Sequence, residues 1–382
     1  MTRPPHLLHV FPSFEAAGAQ QRTVRMMRAC GDRFRHSILA LDGCLDALDL
    51  LPAELGVRSL PAPTQGRGPL AGMRAARALL RQEQPDLLLT YNWGSFDYVL
   101  AVRALANVHH VHHEDGFNID EAGQLKLRRI WARRHGLRRA DRVIVVSEAL
   151  QSIARERWRL PPEQLTLIPN GIDVERFQPE VNSGGRARIR AELGLSEEDL
   201  VVGTVGHLRP VKNFARLIEA VHRMTPAQSA PVHLLLIGDG AQRDLLERAA
   251  KATPPPGGKV HFAGYRDDLP ELYSAMDVFA LSSDSEQHPV SLLEAMACER
   301  AAAATDVGDV RRVLPQGQGE LLVPLDRPDP AGDLGAVLGA LLADPTRRAD
   351  LGRANRARAR DMYSFETMLE AYLRVYGASL GL

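Results

Sequence analysis

The length, composition and charge of the chain exclude several classes of protein. Its 382 residues are too many for one ordinary hydrophobic core, so we expect two domains. Lys plus Arg and Asp plus Glu number 47 each, which argues against a protein that works by bulk attraction to nucleic acid. The three cysteines are too few for a disulfide framework.

The start of the chain carries no pattern for export or membrane insertion. Its short apolar stretch ends at Phe11 and lacks the h-region and cleavage site of a signal peptide. No apolar run approaches the roughly 18 residues that a membrane-spanning helix needs. We therefore expect a cytoplasmic protein, and peripheral contact with the inner face of a membrane stays open.

Short strand patterns alternate with helical patterns in the first half of the chain. The predicted strands are Leu7 to Phe11, His36 to Leu41, Gly56 to Leu60, Asp86 to Tyr91, Val108 to His113, Arg142 to Ser147 and Leu165 to Ile168. This alternation is typical of parallel βαβ units and argues against a sandwich or a helix bundle.

The second half repeats the alternation more clearly. Its predicted strands are Val201 to Val205, His233 to Ile237, Lys259 to Phe262, Val278 to Leu281, Ala301 to Thr305 and Glu320 to Val323. Between the halves, the polar segment Glu180 to Arg186 predicts a linker. A last amphipathic helix, with Ser364 as its predicted cap, is expected to cross back to the first half.

These patterns predict an α/β fold of two facing, doubly wound, Rossmann-like domains with parallel sheets. We place the first domain at residues 1–177 plus 363–382 and the second at residues 178–362. Open α/β sheets bind ligands at the carboxyl ends of their strands. The functional site is therefore expected in the cleft between the domains.

The segment Ser282 to Ala297 is the main candidate for chemistry. It follows a predicted strand and opens a helix at Pro289, where unpaired amides attract phosphate. Glu286 precedes the helix and Glu294 falls about one and a half turns into it. The two carboxylates are therefore expected to reach different hydroxyls of one ligand whose phosphates lie between them. The alternative interpretation is two ordinary glutamates at a helix start.

This stretch resembles the E-x7-E motif of the family 4 retaining glycosyltransferases, a glycogen-synthase-like group with the two-domain GT-B fold. The other matching motifs, in chain order, are Gly18-Ala-Gln20, Ile168-Pro-Asn-Gly-Ile-Asp173, Val205-Gly-His-Leu-Arg-Pro-Val-Lys-Asn213 and Gly238-Asp-Gly240. Because they run through nearly the whole chain in the family's order, they make a stronger signal than any one of them.

The resemblance implies specific roles for site residues. Glu294 would bind the ribose of a nucleotide, Glu286 would lie beside the donor sugar, and Lys212 with Arg209 would neutralise the departing diphosphate. The remaining expected donor-binding residues are Gly18, Gly206, His207, Gln287, His288, Pro289, Val290, Tyr265 and Arg266. Two positions depart from the family pattern: His207 stands where an Arg is usual after the glycine, and Gln287 stands where a Gly is common.

The histidine-rich run Val108 to Phe117 ends a predicted strand. By resemblance, either His113 or Asp115 contacts the donor sugar, depending on the alignment. A metal site is the alternative, since His112, His113, Glu114 and Asp115 are all possible ligands. Adjacent strand residues point to opposite faces, however, and the family's reaction does not depend on a bound metal. We therefore expect no metal and no cofactor, the nucleotide-sugar being a substrate.

The segment Lys126 to Arg142 is rich in arginine, with Leu127, Ile130 and Trp131 among the charges. Two interpretations stay open. The segment is either a basic helix that lies on anionic lipid or a solvated arginine face over the first sheet.

The expected function is that of a bacterial, retaining, metal-independent hexosyltransferase. It would move a sugar from a UDP- or GDP-sugar, bound by the second domain, to a glycan or lipid-linked acceptor, bound by the first, in cell-envelope polysaccharide synthesis. Two alternatives remain: a nucleotide-sugar 2-epimerase on the same fold, and a non-catalytic nucleotide-sugar-binding protein.

Overall fold

The chain folds into two parallel β-sheets covered by helices. The computed structural model describes residues 3–16, 18–62, 69–105, 107–117, 121, 126–179, 184–224 and 230–382. Contacts divide the chain into a first unit, which runs to Pro169 and includes Leu369–Leu382, and a second unit, Asn170–Met368. Each unit has its own sheet and its own hydrophobic core.

The first unit contains a seven-stranded sheet of order β3-β2-β1-β4-β5-β6-β7. The strands are β1 (His6–Phe11), β2 (Arg35–Ala40), β3 (Arg58–Leu60), β4 (Leu87–Tyr91), β5 (His109–Glu114), β6 (Arg142–Val145) and β7 (Leu165–Leu167). The helices are α1 (Gly18–Cys30), α2 (Pro69–Glu83), α3 (Phe96–Val102), α4 (Leu127–Gly136) and α5 (Glu148–Glu156). Strands such as β1 and β4 are largely apolar and buried on both faces, as expected for a parallel sheet between helical layers.

The second unit contains a six-stranded sheet of order β10-β9-β8-β11-β12-β13. The strands are β8 (Leu200–Val205), β9 (Val232–Ile237), β10 (Val260–Gly264), β11 (Val278–Leu281), β12 (Ala301–Thr305) and β13 (Leu322–Val323). The helices are α6 (Gly185–Glu192), α7 (Phe214–Arg223), α8 (Arg243–Ala252), α9 (Leu269–Ala275), α10 (Val290–Ala297), α11 (Val310–Val313), α12 (Pro330–Ala343), α13 (Pro345–Tyr363) and α14 (Phe365–Leu380), the last ending in the first unit.

The fold confirms the predicted α/β class and its Rossmann-like parallel sheets. Each of the predicted strands is present within a few residues of its predicted bounds. The last one is shorter than predicted, because Glu320 belongs to a 3₁₀ turn, Gly319–Leu321, that precedes β13.

The division between the units falls at Asn170 and after Met368, whereas the sequence placed it at 177/178 and 362/363. The segment after Pro169 joins the second unit because Ile172, Val174 and Phe177 pack into that unit's core. The Ile172 backbone also pairs with Ser364. Part of the predicted linker, residues 180–183, lies outside the described residues.

A membrane-spanning helix was not expected from the sequence. Throughout the part of the chain that the structure describes, every helix is too short or too polar to cross a bilayer.

Candidate functional site

Two loops of the second unit meet where the order of its sheet reverses. Strands β8 and β11 are neighbours although two strands separate them in sequence, and such a switch point opens a crevice at the carboxyl ends of the strands. The loops are tied by their backbones: Asp284 N–H donates to Val211 O at 2.8 Å, and Ser282 Oγ donates to Lys212 O at 3.0 Å. The two central predicted motifs are therefore joined in the fold.

Lys212 and Glu286 form an ion pair across these loops. Lys212 Nζ lies 2.6 Å from Glu286 Oε1, and Ser283 Oγ donates to the same oxygen at 2.6 Å. The lysine side chain is 23% exposed and the glutamate side chain 11%. The structure thus brings together the two residues that were predicted to act on the diphosphate and on the sugar.

His207 and Arg209 lie on the same loop as Lys212, and both are exposed. Arg209 N–H donates to His207 O at 2.7 Å, which folds the loop sharply beyond Gly206. Gly238, with a φ of 127°, packs so closely that an added Cβ would lie 2.1 Å from Gly206 O. This close approach explains the glycine of the Gly238-Asp-Gly240 motif by packing.

Gly308, which was not predicted from the sequence, supports the loop that carries Glu286. Its φ is 54°, and an added Cβ would lie 1.9 Å from Glu286 O. The next residue, Asp309, donates its N–H to Gln287 O at 3.1 Å. The turn after β12 therefore fixes the backbone of Glu286 and Gln287. A glycine three residues after the predicted strand Ala301 to Thr305 was the available signal.

Glu294 is buried in α10, where the hydroxyl of Tyr273 donates to its Oε2 at 2.9 Å. The helix begins at Val290, with Pro289 as its N-cap and without a side-chain cap, one residue later than predicted. Tyr273 was not predicted as a site residue, because a tyrosine in a helical pattern is usually interpreted as a core residue.

His288 is buried within the second unit. Its ring packs edge-on against Tyr363, with the centroids 5.1 Å apart, and burial lowers the pKa of His288 to about 4. Its carbonyl oxygen accepts a hydrogen bond from Asn170 Nδ2 at 2.9 Å. The imidazole is therefore neutral at physiological pH.

Tyr265 and Arg266 follow β10 at the surface. Tyr265 is 68% exposed. The Arg266 guanidinium donates to Glu192 Oε1 at 2.5 Å and to Asp268 Oδ1 at 2.8 Å, and this arginine holds the pKa of Asp268 well below its usual range. Its guanidinium therefore joins α6 to the loop before α9.

In the first unit, the two candidates at the end of β5, His113 and Asp115, lie in different environments. The His113 ring is fully buried: it is stacked on Tyr91 and hydrogen-bonded to Thr90 O at 3.2 Å and to the Tyr376 hydroxyl at 2.9 Å. Asp115 lies just beyond the strand, with 15% of its side chain exposed and its Oδ1 at 2.7 Å from Arg22 Nη1. Asp115 is thus the candidate nearer to solvent.

Two further residues follow strand ends of the same sheet. Asn92, which follows β4, accepts the Asp115 N–H on its Oδ1 at 2.8 Å and has a φ of 54° and a ψ of −176°, a backbone conformation that costs free energy in any non-glycine residue. Gly18 begins α1 after β1 and is exposed, with open space at the position of a Cβ. Residues from three strand ends therefore mark the carboxyl edge of this sheet.

The histidine-rich strand points alternately to two faces, as strand geometry requires. His110 and His112 both contact Thr90 Oγ1 at 2.8 Å, on the face opposite His113. Among the described residues, no three His, Cys, Asp or Glu side chains come together as a possible metal-binding group.

The arginines of α4 are not all on the solvent side, and an arginine face made of the whole segment is wrong. Arg133 is buried and donates to Glu114 Oε2 at 3.0 Å, and Arg129 donates to Glu121 Oε2 at 2.8 Å. The Arg133 guanidinium also lies 5.1 Å from the ring centroid of Trp158. These contacts hold α4 against the sheet, leaving its other side exposed.

Two protein families match the chain. The family described as "Glycosyl transferases group 1" matches residues 185–358, and the family described as "Glycosyltransferase Family 4" matches residues 16–176. Together the two matches cover most of the chain.

Two relatives illustrate the sequence similarity. The chain is 30% identical to alpha-maltose-1-phosphate synthase of Mycolicibacterium smegmatis, over 64% of this chain and 65% of that protein. It is also 30% identical to D-inositol 3-phosphate glycosyltransferase of Salinispora tropica, over 63% of this chain and 52% of that protein. The chain thus spans less than two thirds of the length of either relative.

Solved structures share the fold. HepE of Anabaena, in complex with UDP and glucose, superposes with a TM-score of 0.80 at 20% identity, covering 98% of this chain and 100% of that one. Sucrose-phosphate synthase of Thermosynechococcus elongatus gives a TM-score of 0.81 at 22% identity, covering 99% of both chains.

Proposed function

This chain belongs to the family 4 glycosyltransferases of the GT-B fold, and we propose that it transfers a hexose, with retention, from a UDP- or GDP-sugar. The Lys212–Glu286 pair at the switch point of the second sheet carries the proposal. A departing diphosphate needs fixed positive charge where its own charge develops, and Lys212 is positioned on the loop that also bears Arg209.

Each site residue has a proposed part in this reaction. Lys212 and Arg209 neutralise the diphosphate, Glu286 accepts a hydroxyl of the donor sugar, and Glu294 binds the ribose. The start of α10 at Val290, which is partly buried, would offer backbone amides to phosphate. The leaving phosphate takes the acceptor proton, on the same face of the sugar from which it departs, so no enzymic nucleophile and no metal are required.

We propose that the first unit binds the acceptor, with Asp115 rather than His113 at the reacting sugar. Asp115 is the more accessible of the two, whereas both ring nitrogens of His113 are engaged inside the unit. The proposed acceptor is a glycan or lipid-linked precursor of a bacterial cell-envelope polysaccharide.

The central experiment is a thermal-shift screen with UDP-, GDP- and ADP-sugars, since a ligand that binds the folded state alone raises its melting temperature. We expect one nucleotide class to stabilise the protein. The stabilising donor is then incubated without acceptor, with and without EDTA. Slow release of nucleoside diphosphate that EDTA does not affect supports a metal-independent transferase. Formation of an epimerised donor, or binding without any turnover, contradicts it.

We further propose that α4 meets the inner face of an anionic membrane. Leu127 and Trp131 lie one turn apart on this helix and are 83% and 65% exposed. Lys126, Arg128 and Arg138 of the same segment are also exposed. Exposed aromatic and aliphatic side chains among cationic ones suit the headgroup region of anionic lipid.

The membrane proposal is tested by flotation with vesicles of phosphatidylcholine, with and without phosphatidylglycerol. We expect binding to the anionic vesicles, and a loss of roughly tenfold or more in the double variant Leu127→Ser/Trp131→Ser, because both apolar anchors are removed. Leu245→Ser is the control, since Leu245 is exposed in the second unit. Equal binding to both vesicle types would refute the proposal.

A further inference from the structure

Tyr273 lies inside the core of the second unit, directly behind Glu294. Its ring is fully buried on α9, with Phe177 and Phe279 each 6.0 Å away between ring centroids. Its hydroxyl reaches out of this apolar packing to Glu294 Oε2 at 2.9 Å and lies 3.1 Å from Ser291 O. One oxygen of the Glu294 carboxylate is therefore held by a residue of the hydrophobic core.

Burial fixes the direction of this hydrogen bond. Burial, together with the neighbouring Glu294, raises the pKa of the Tyr273 hydroxyl well above its usual range. The phenol consequently stays protonated at physiological pH and acts as a donor toward the carboxylate. A carboxylate placed in a largely apolar environment needs such a donor, because an unpaired buried charge is costly.

From this geometry we propose that Tyr273 is a positioning residue for nucleotide binding: it fixes the carboxylate plane of Glu294, so that the glutamate can accept the hydroxyls of a ribose. The inference rests on the proposed role of Glu294. Tyr273 itself does not touch the nucleotide. It sets the side-chain torsions of Glu294 before the ligand arrives, which removes part of the ordering cost of binding.

The test is the variant Tyr273→Phe, which keeps the packed ring and removes the hydroxyl. We expect its dissociation constant for UDP or GDP, whichever binds the natural protein more tightly, to rise at least about fivefold, the size expected for a hydrogen bond to a charged group. The KM for the donor should rise in parallel, while kcat changes less than about twofold.

A second readout separates positioning from general destabilisation. The natural protein should discriminate against the 2′-deoxy or 3′-deoxy form of the same nucleotide, and Tyr273→Phe should lose most of that discrimination. This ratio of affinities does not depend on the fraction of molecules that are folded. Tyr98→Phe is the matched control, because the buried Tyr98 hydroxyl has no hydrogen-bond partner among the described residues.

The outcomes distinguish this inference from the proposed function. If Glu294→Gln loses affinity and ribose discrimination while Tyr273→Phe keeps both, the positioning role is wrong and the assigned nucleotide site stands. If Glu294→Gln also keeps both, the ribose assignment is wrong, and the positioning role is overturned with it.

Discussion

Lys212 Nζ and Glu286 Oε1 lie 2.6 Å apart, so the proposed diphosphate-binding cation is already paired with a carboxylate. Both side chains are largely buried, which shields the pair from water and strengthens its attraction. A nucleoside diphosphate that uses Lys212 must therefore share the ammonium with Glu286. We therefore expect the pair to lower affinity for the product while it supports the transfer.

Glu286→Gln is expected to change turnover and product affinity in opposite directions. Transfer should fall at least about tenfold, because the donor sugar loses the carboxylate that accepts a hydrogen bond from its hydroxyl. Binding of UDP or GDP should become tighter, because the amide neither neutralises Lys212 nor repels phosphate. Steady-state kinetics and isothermal titration calorimetry measure the two effects. Glu219→Gln, at the exposed pair with Arg223, is the control. Turnover equal to that of the natural protein would contradict the assigned role.

Lys212→Ala is expected to lower both turnover and affinity for the nucleoside diphosphate. Transfer and nucleoside diphosphate affinity should each fall at least about tenfold, since the fixed charge at the leaving group is lost. Lys251→Ala, at an exposed position on α8, should leave both unchanged. If the Lys212 variant retains normal affinity for the diphosphate, Arg209 or His207 holds it instead.

Gly308→Ala should reduce activity beyond its effect on folding. The positive φ costs about 1 kcal/mol or more for alanine, and the added Cβ must also displace Glu286 O. Gly317→Ala provides the control, because Gly317 has a φ of 90° with nothing within 4 Å of an added Cβ. Both variants should unfold at lower urea concentration, but only Gly308→Ala should lose at least about tenfold in turnover. Equal turnover in the two variants would show that the Glu286 loop tolerates displacement.

Asp115 and His113 should respond differently to substitution. Asp115→Asn should lower turnover per folded molecule at least about tenfold, because it removes a charge at the proposed reaction centre. His113→Asn should mainly lower the melting temperature, since it breaks hydrogen bonds inside the first unit. Activity assays normalised to the folded fraction separate the two effects. A larger loss of turnover in His113→Asn would reverse the assignment.

The first unit should lose stability in mild acid. Burial lowers the pKa of His36 to about 4 and that of His110 to about 3, and it lowers the pKa of His9 and His113 as well. Because the unfolded chain binds these protons with a pKa of about 6.5 and the folded chain does not, stability is full above about pH 6.5 and falls as the pH drops toward 4.

Urea unfolding of His110→Asn between pH 4.5 and 6.5 checks this. Its slope of unfolding free energy against pH should be smaller by up to one proton, about 1.4 kcal/mol per pH unit. An unchanged slope in His110→Asn would mean that His110 takes up its proton in the folded state.

The strands and the positions of Lys212 and Glu286 after strand ends could be predicted because their signals are local. Strands such as β9 and β12 are buried on both faces and appear as continuous apolar or small-residue runs. Lys212 and Glu286 each follow a strand end, and strand order alone brings their loops together.

The positions of the arginines could not be predicted, because they depend on partners distant in the fold. Arg133 is drawn inward by Glu114 at the end of β5, and nothing in the spacing of α4 distinguishes it from the exposed Arg128. Tyr273 is a similar case, since the fold alone places its hydroxyl at Glu294. The burial of His113 likewise depends on a distant residue, since its ring is hydrogen-bonded to the hydroxyl of Tyr376.

The packing of Trp158 around Arg133 also determines which unfolding event tryptophan fluorescence can detect in this protein. The chain has three tryptophans, Trp93, Trp131 and Trp158, and all belong to the first unit. Trp158 is fully buried beside the Arg133 guanidinium, while Trp131 is largely exposed. Tryptophan fluorescence therefore follows unfolding of the first unit through Trp158 and a change of solvent at α4 through Trp131. Unfolding of the second unit alone requires another probe.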